Sequence, residues 1–311
     1  MTVLDDVATA VSEGAADLAA LDGRFLLVAL ALQLANLACR SLVWRNAIAA
    51  AYPERRVPVV PVAAAYASGV ALNAFAPARG GDAAKLLLVR ATVPGTTLAT
   101  VAGTIVAVLL LDALIASGLV CLLLGLGVLP ALPAVPEVGV VPVAVTAGAV
   151  ALAGAALALR PRFVRRAAAR VVQGLAILRS PRRYALTIAP FQLAGWACRI
   201  GVAFAVLAAF DIRAGIAVAA LLVVLNGLSA AVPLPGGAGV QQVLAAFALA
   251  GVAPVADAVS YSLGLQLGVT AVNTAVGLAA LMVLVGTARP LVALRAGRSL
   301  ARDRLDTLSR R

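Results

Sequence analysis

Two interruptions carry much of the polar chemistry of this chain. Asn73–Lys85 reads NAFAPARGGDAAK, and Pro233–Gln242 reads PLPGGAGVQQ. In the first, Pro77 ends a helix, and Gly80 and Gly81 permit sharp backbone angles. Asp82 is then placed to cap the short helix AAKLLLVR. The free N–H groups of that helix, with Arg79 and Lys85 beside them, suit an anion such as a phosphate. A cytoplasmic turn whose charges only follow the positive-inside bias fits the same residues. The second interruption is uncharged. Pro233, Pro235, Gly236, Gly237 and Gly239 precede the apolar helix that starts at Val240, so the helix start itself is the polar element. No GK[ST] follows, which removes a nucleotide loop.

A third set of polar residues lies inside apolar runs. Gln33, Asn36 and Arg40 fall at i, i+3 and i+7, and Gln192, Trp196 and Arg199 at i, i+4 and i+7, so each trio shares one helix face. Charges within a span are costly and face a cavity or a partner. Asp112 is the one acid well inside a span and could pair with either Arg40 or Arg199. Asn226 and Asn273 are suited to hydrogen bonding between helices.

The elements that must position these groups are membrane helices. The chain has 311 residues, 63% hydrophobic and 12% charged, too apolar for a water-facing surface to cover. Continuous apolar runs of about 20 residues indicate an all-α polytopic membrane protein and not an alternating β-barrel. Spans are expected at 25–51, 58–77, 97–128, 139–159, 184–210, 214–232 and 255–285. Residues 238–252 form either a re-entrant half-helix or a thin eighth span, giving seven or eight transmembrane helices.

Two weakly related halves are expected. Trp44 and Trp196 are 152 residues apart, Asn73 and Asn226 are 153, and Pro77 and Pro233 are 156. Each half would hold a Pro/Gly-broken segment, the pattern that marks substrate sites in repeat-built transporters. The organisation is then an acidic lead-in (1–23), a first transmembrane half (24–159), a basic amphipathic linker (160–183), a second half (184–285) and a basic tail (286–311). The linker holds eight arginines and the tail seven, which places both in the cytoplasm. Counting back puts residues 78–93 inside, Tyr52–Val57 outside and the N-terminus inside, in a plasma-membrane protein. The N-terminal residues lack a basic n-region and a cleavage site, so no secretory signal is expected.

Composition also narrows the chemistry. There is no histidine, and Cys39, Cys121 and Cys198 have no CxxC spacing, so neither a metal, a cofactor nor a disulfide is expected. No nucleophile–base pair or paired carboxylate appears, which argues against an enzyme. The net charge of +12 is assigned to anionic lipid headgroups and not to nucleic acid.

NAFAPARGGDAAKLLLVR resembles a signature of the flippase-like transmembrane region of lysylphosphatidylglycerol synthases. PLPGGAGVQQVLAAFALAGV resembles that region's second signature. RSLVW at Arg40–Trp44, Asp112 and Tyr261 resemble further elements, and the likeness runs over about residues 20–290. Several family charges are replaced here: Gln242 stands where glutamate is usual, Val108 and Leu109 replace a Glu-Arg pair, and Ser262 replaces an arginine. The resemblance implies a membrane lipid-binding protein that moves an anionic or polyprenyl-linked lipid between leaflets. It implies no aminoacyl transfer, because a separate soluble domain performs that step. The headgroup site would comprise Asn73, Pro77, Arg79, Gly81, Asp82 and Lys85, faced by the glycine-rich break. The alternatives are a non-transporting subunit that docks a cytoplasmic lipid-modifying enzyme, and a small-solute exporter.

Overall fold

The computed structural model describes residues 22–74, 80–127, 169–229 and 239–286. The described elements are helical: α1 (Gly23–Ala51), α2 (Val59–Asn73), α3 (Gly80–Thr92), α4 (Leu98–Gly125), a 3-10 turn (Ala176–Arg179), α5 (Pro181–Thr187), α6 (Ala189–Ala209), α7 (Ile216–Ser229), α8 (Val240–Ala248) and α9 (Val255–Val285). Among them α1, α4, α6 and α9 are long and apolar enough to cross a membrane. Their outer faces carry exposed Leu27, Leu114, Leu193 and Val283, side chains that lipid tails would cover. The expected span at 139–159 lies outside the described residues, as do residues 1–21 and 287–311.

The described part of the run expected to cross at 58–77 is a short helix. α2 has 15 residues. At 1.5 Å per residue it spans about 22 Å, short of a hydrocarbon core of about 30 Å. It folds back against α3 as a hairpin. Near the tip, Gly81 packs against the backbone of Gly69 and Asn73, and a Cβ at either glycine would overlap the other strand of the hairpin. At the base, the Arg55 guanidinium donates to the Pro94 carbonyl (2.9 Å), and the Thr97 N–H donates to the Tyr52 hydroxyl (2.9 Å). Tyr52–Val57 and residues 93–97 therefore share one face of the bundle, where the charge count had put 52–57 and 78–93 on opposite faces. The difference arises because counting back from the linker took 58–77 as a crossing, whereas α2 packs along α3.

The same face receives the basic linker. Gln173 donates to the Ala51 carbonyl (3.0 Å) and Arg183 to the Ala49 carbonyl (3.1 Å). From there α6 runs antiparallel to α1: Asn46 donates to the Thr187 carbonyl (2.6 Å), Gly195 lies against Asn36 and Arg40, and Gly201 against Leu32. α7 and α8 form a second hairpin whose base is at the opposite face. There Ile212, Ala219, Ala248, Leu249, Ala258 and Tyr261 share one core cluster. α8 has nine residues, about 14 Å by its rise, so it is a half-helix and not an eighth span.

α9 then returns to the first face as an unbroken helix of 31 residues and does not turn back on itself. Ser68 donates to the Gly277 carbonyl (3.2 Å). Leu284 packs on the cluster of Trp44, Val57 and Val62. A Cβ on Gly277 would strike Ala67 and Ala71, so glycine is what lets α9 lie on α2. The start of α1 and the end of α9 consequently lie on opposite faces, not on one face as the charge count had it.

Single cysteines in a background lacking the three native ones test this layout. Glu54→Cys and Pro94→Cys are expected to react with a membrane-impermeant maleimide from the same side, and Asp211→Cys from the other. Reaction of positions 54 and 94 from opposite sides would restore the simple crossing of 58–77.

Candidate functional site in the central cavity

Helices α1, α2, α6, α7, α8 and α9 line a half-open cavity of about 400 Å³. Its polar wall includes Gln33, Asn36 and Arg40 of α1, Arg199 of α6 and Asn226 of α7, with Tyr66 and Asn273 completing it. The stripe periodicity brings Gln33, Asn36 and Arg40 of α1 to the cavity, whereas of the α6 stripe Arg199 lines it and Gln192 and Trp196 bond to Asp112.

Behind this wall stands Asp112 of α4. Of the two pairings open in the sequence, the structure has both. Arg40 Nη2 donates to Asp112 Oδ2 (2.7 Å), and Arg199 Nη2 lies 3.9 Å from Oδ1. Gln192 Nε2 (2.9 Å) and Trp196 Nε1 (3.1 Å) also donate to Oδ1. One carboxylate thus gathers α1, α4 and α6. Arg40 Nε donates in addition to the Tyr66 hydroxyl (3.0 Å), which ties in α2.

Arg199 is held differently. Its guanidinium lies over the Trp196 ring at 4.1 Å, a cation–π contact that fixes the plane without using N–H donors. Nε and Nη2 are buried and have no hydrogen-bond partner among the described residues. The carbonyl oxygen of Asn36 is in the same condition. Buried donors and acceptors left unmatched are costly, and here they belong to residues that line one cavity.

At the charged end of the first hairpin the described side chains bond to one another, and the side-chain oxygen of Asn73 is buried without a hydrogen-bond partner among the described residues. α3 begins at Gly80, two residues before the expected cap, and Asp82 lies in its first turn. Asp82 accepts from Lys85 (2.8 Å) and Asn73 (3.2 Å), while the Lys85 ammonium lies 4.8 Å from the Tyr66 ring centre. Asn73, Gly81, Asp82 and Lys85 are thus brought together. Pro77 and Arg79 lie outside the described residues.

In the second break, Gly239 takes a positive φ of 83° and its N–H donates to Gln242 (2.7 Å); Gln242 donates in turn to Gln266 (3.0 Å). Pro233, Pro235, Gly236 and Gly237 lie outside the described residues. Its neighbour Gln241, not Gln242, lines the cavity. Tyr261 is buried at the α6–α9 contact, with its hydroxyl 3.4 Å from the Ala203 carbonyl, and does not line the cavity.

Sequence reasoning missed Tyr66, Gln241, Gln266 and Thr270. Tyr66, Gly69 and Asn73 fall at i, i+3 and i+7, a weak stripe that could have drawn notice. Gln266 and Thr270 fall with Asn273 at i, i+4 and i+7, a stripe of the same kind, and Gln241 adjoins Gln242 in the second break. Among the described residues no group of three histidine, cysteine or acidic side chains could hold a metal ion.

A family model described as the lysylphosphatidylglycerol synthase TM region matches residues 7–294. The chain belongs to this transmembrane-region family. No curated protein and no solved structure matches it. Family membership and apolar helices together make this a membrane, lipid-related protein.

The shared carboxylate makes a stability prediction. Asp112→Asn leaves two partly buried guanidiniums without their shared carboxylate, and breaking a fully buried pair costs about 3–5 kcal/mol, an upper bound for this one. Thermal unfolding in detergent should show a large loss for Asp112→Asn and partial recovery in the double variant Arg40→Gln/Asp112→Asn. Equal stability of wild type and Asp112→Asn would remove the carboxylate from its central place.

Proposed function

We propose that the protein binds the anionic headgroup of a lipid in the central cavity and carries that lipid between leaflets, without catalysing a reaction on it. One observation supports this most: two guanidiniums share a single carboxylate, and Arg199 keeps unmatched donors at the cavity wall. Counting Arg40, Arg199 and Lys85 against Asp112 and Asp82 leaves one excess positive charge (3 − 2 = 1). An anion would neutralise it and take the free donors. Charge-assisted bonds to a phosphate are the strong kind, and a phosphate attached to lipid tails could reach the cavity with its tails in the bilayer.

The helix order supports a related reading of the halves. α1 through α4 and α6 through α9 have the same succession of long, short, shorter and long helices. Contacts correspond too: α1 with α2 as α6 with α7, α2 with α3 as α7 with α8, α2 with α9 as α7 with α4. α1 and α6 run antiparallel, so we read the halves as an inverted repeat, with hairpins entering from opposite faces. That is the construction from which alternating access follows by rocking one half against the other.

The positive-inside rule then orients the bundle. Arg55, Arg56, Arg179, Arg182 and Arg183 share one face, and the chain leaves that face at Gly286 ahead of seven further arginines. Arg24 and Arg213 flank the helices at the other face. On this reading the arginine-rich face and the tail are cytoplasmic, and the acidic N-terminal lead is outside, in place of the inside position expected from sequence.

Transport is measured with a fluorescent phosphatidylglycerol in proteoliposomes, read by quenching of the outer leaflet. The wild type is expected to move the lipid well above protein-free vesicles. Arg199→Gln should slow it about ten- to a hundredfold, the scale of one lost bond to a charged group. No movement by the wild type would sink the proposal.

A further inference from the structure

The lining of the cavity narrows the headgroup class, on the assumption that the lipid-binding reading is right. Besides Arg40 and Arg199, the wall carries six carboxamides: Gln33, Asn36, Asn226, Gln241, Gln266 and Asn273. A carboxamide presents two donors and an acceptor in fixed geometry, and hydroxyl groups satisfy both kinds. Three of these amides bond to one another, and a fourth, Gln266, is held by Gln242 behind the wall. Gln33 donates to Asn273 (2.7 Å), Asn36 donates to Gln33 (3.4 Å) and Gln242 donates to Gln266 (3.0 Å). These bonds join α1 to α9 and α8 to α9, so the amides are held in place on several helices.

The unmatched atoms sharpen the choice. Arg199 Nε and Nη2 lack an acceptor, and the Asn36 carbonyl lacks a donor. A ligand that matches all three brings an anionic oxygen and a hydroxyl. A bare phosphate diester brings no donor. An aminoacylated headgroup brings an ammonium, yet the described cavity lining holds no carboxylate. The nearest one, Asp112, already accepts from Arg40, Gln192 and Trp196. A volume of about 400 Å³ accommodates a compact ring; small-molecule pockets begin at roughly 300 Å³.

We propose that the cavity selects a polyhydroxylated phosphate headgroup, such as an inositol or sugar phosphodiester, over both a hydroxyl-free anionic headgroup and a cationic aminoacylated one. The two guanidiniums take the phosphate, and the amide wall formed by Gln33, Asn36 and Gln241 takes the hydroxyls.

Both tryptophans are near the site, and Trp196 lies under Arg199, so tryptophan fluorescence of the purified full-length protein reads binding. The probes are dioctanoyl phosphatidylinositol, dioctanoyl phosphatidylmethanol (equal charge, no hydroxyl), dioctanoyl lysyl-phosphatidylglycerol and soluble inositol 1-phosphate. Phosphatidylinositol is expected to bind about tenfold tighter than phosphatidylmethanol, the factor that one or two net hydrogen bonds supply. It should also bind tighter than the lysyl lipid. Gln241→Leu, and separately Gln33→Leu, should erase most of that advantage while leaving phosphatidylmethanol binding in place. Equal binding of phosphatidylinositol and phosphatidylmethanol, or preference for the lysyl lipid, overturns the headgroup proposal and leaves lipid binding standing. Equal affinity for inositol 1-phosphate and its lipid supports the headgroup chemistry and sinks the lipid reading. If no probe binds, both fall.

Discussion

A carboxylate buried among membrane helices must be neutralised, and the way Asp112 is neutralised organises this protein. It draws Arg40 from α1, Gln192, Trp196 and the more distant Arg199 from α6, and through Arg40 it reaches Tyr66 on α2. Apolar packing cannot specify such an arrangement in a bilayer, because lipid tails are as apolar as the side chains that face them. Polar contacts and close glycine packing therefore carry more of the specificity. Gly69, Gly81 and Gly277 let backbones approach, and Asp112 fixes which faces of α1, α4 and α6 look inward.

The same arrangement leaves the site incomplete. One carboxylate cannot satisfy two guanidiniums, and Arg40 takes the better geometry. Arg199 is then positioned by the Trp196 ring, with donors still open. At the charged end of the first hairpin Lys85 and Asn73 both donate to Asp82, while the Asn73 side-chain oxygen has no partner among the described residues. Structural stability and ligand affinity thus draw on adjacent but different parts of one polar network. Removing Asp112 harms the scaffold, whereas neutralising Arg199 acts on the cavity.

Much of this was legible in the sequence. Apolar run length gave the long helices, and the proline–glycine breaks gave both interruptions. The i, i+3, i+7 stripe on α1 gave one side of the polar wall, and the i, i+4, i+7 stripe on α6 gave Arg199 and the partners of Asp112. The path of the short segments was not legible. An apolar run such as 58–77 reads as a span whether it crosses or folds back, and only its pairing with α3 decides. Tyr66, Gln241 and Gln266 were missed although Tyr66 and Gln266 lie on helical stripes with Asn73 and Asn273, because which stripes share one cavity is settled only where the helices converge.

The central claim is that Arg40 and Arg199, with Asp112 between them, hold an anionic headgroup. Native mass spectrometry of the protein extracted from its own membrane tests it most directly. The account predicts a phosphate-bearing lipid retained by the wild type and lost from a folded Arg199→Gln variant. Equal retention by both proteins, or retention of a lipid without an anionic headgroup, would contradict it.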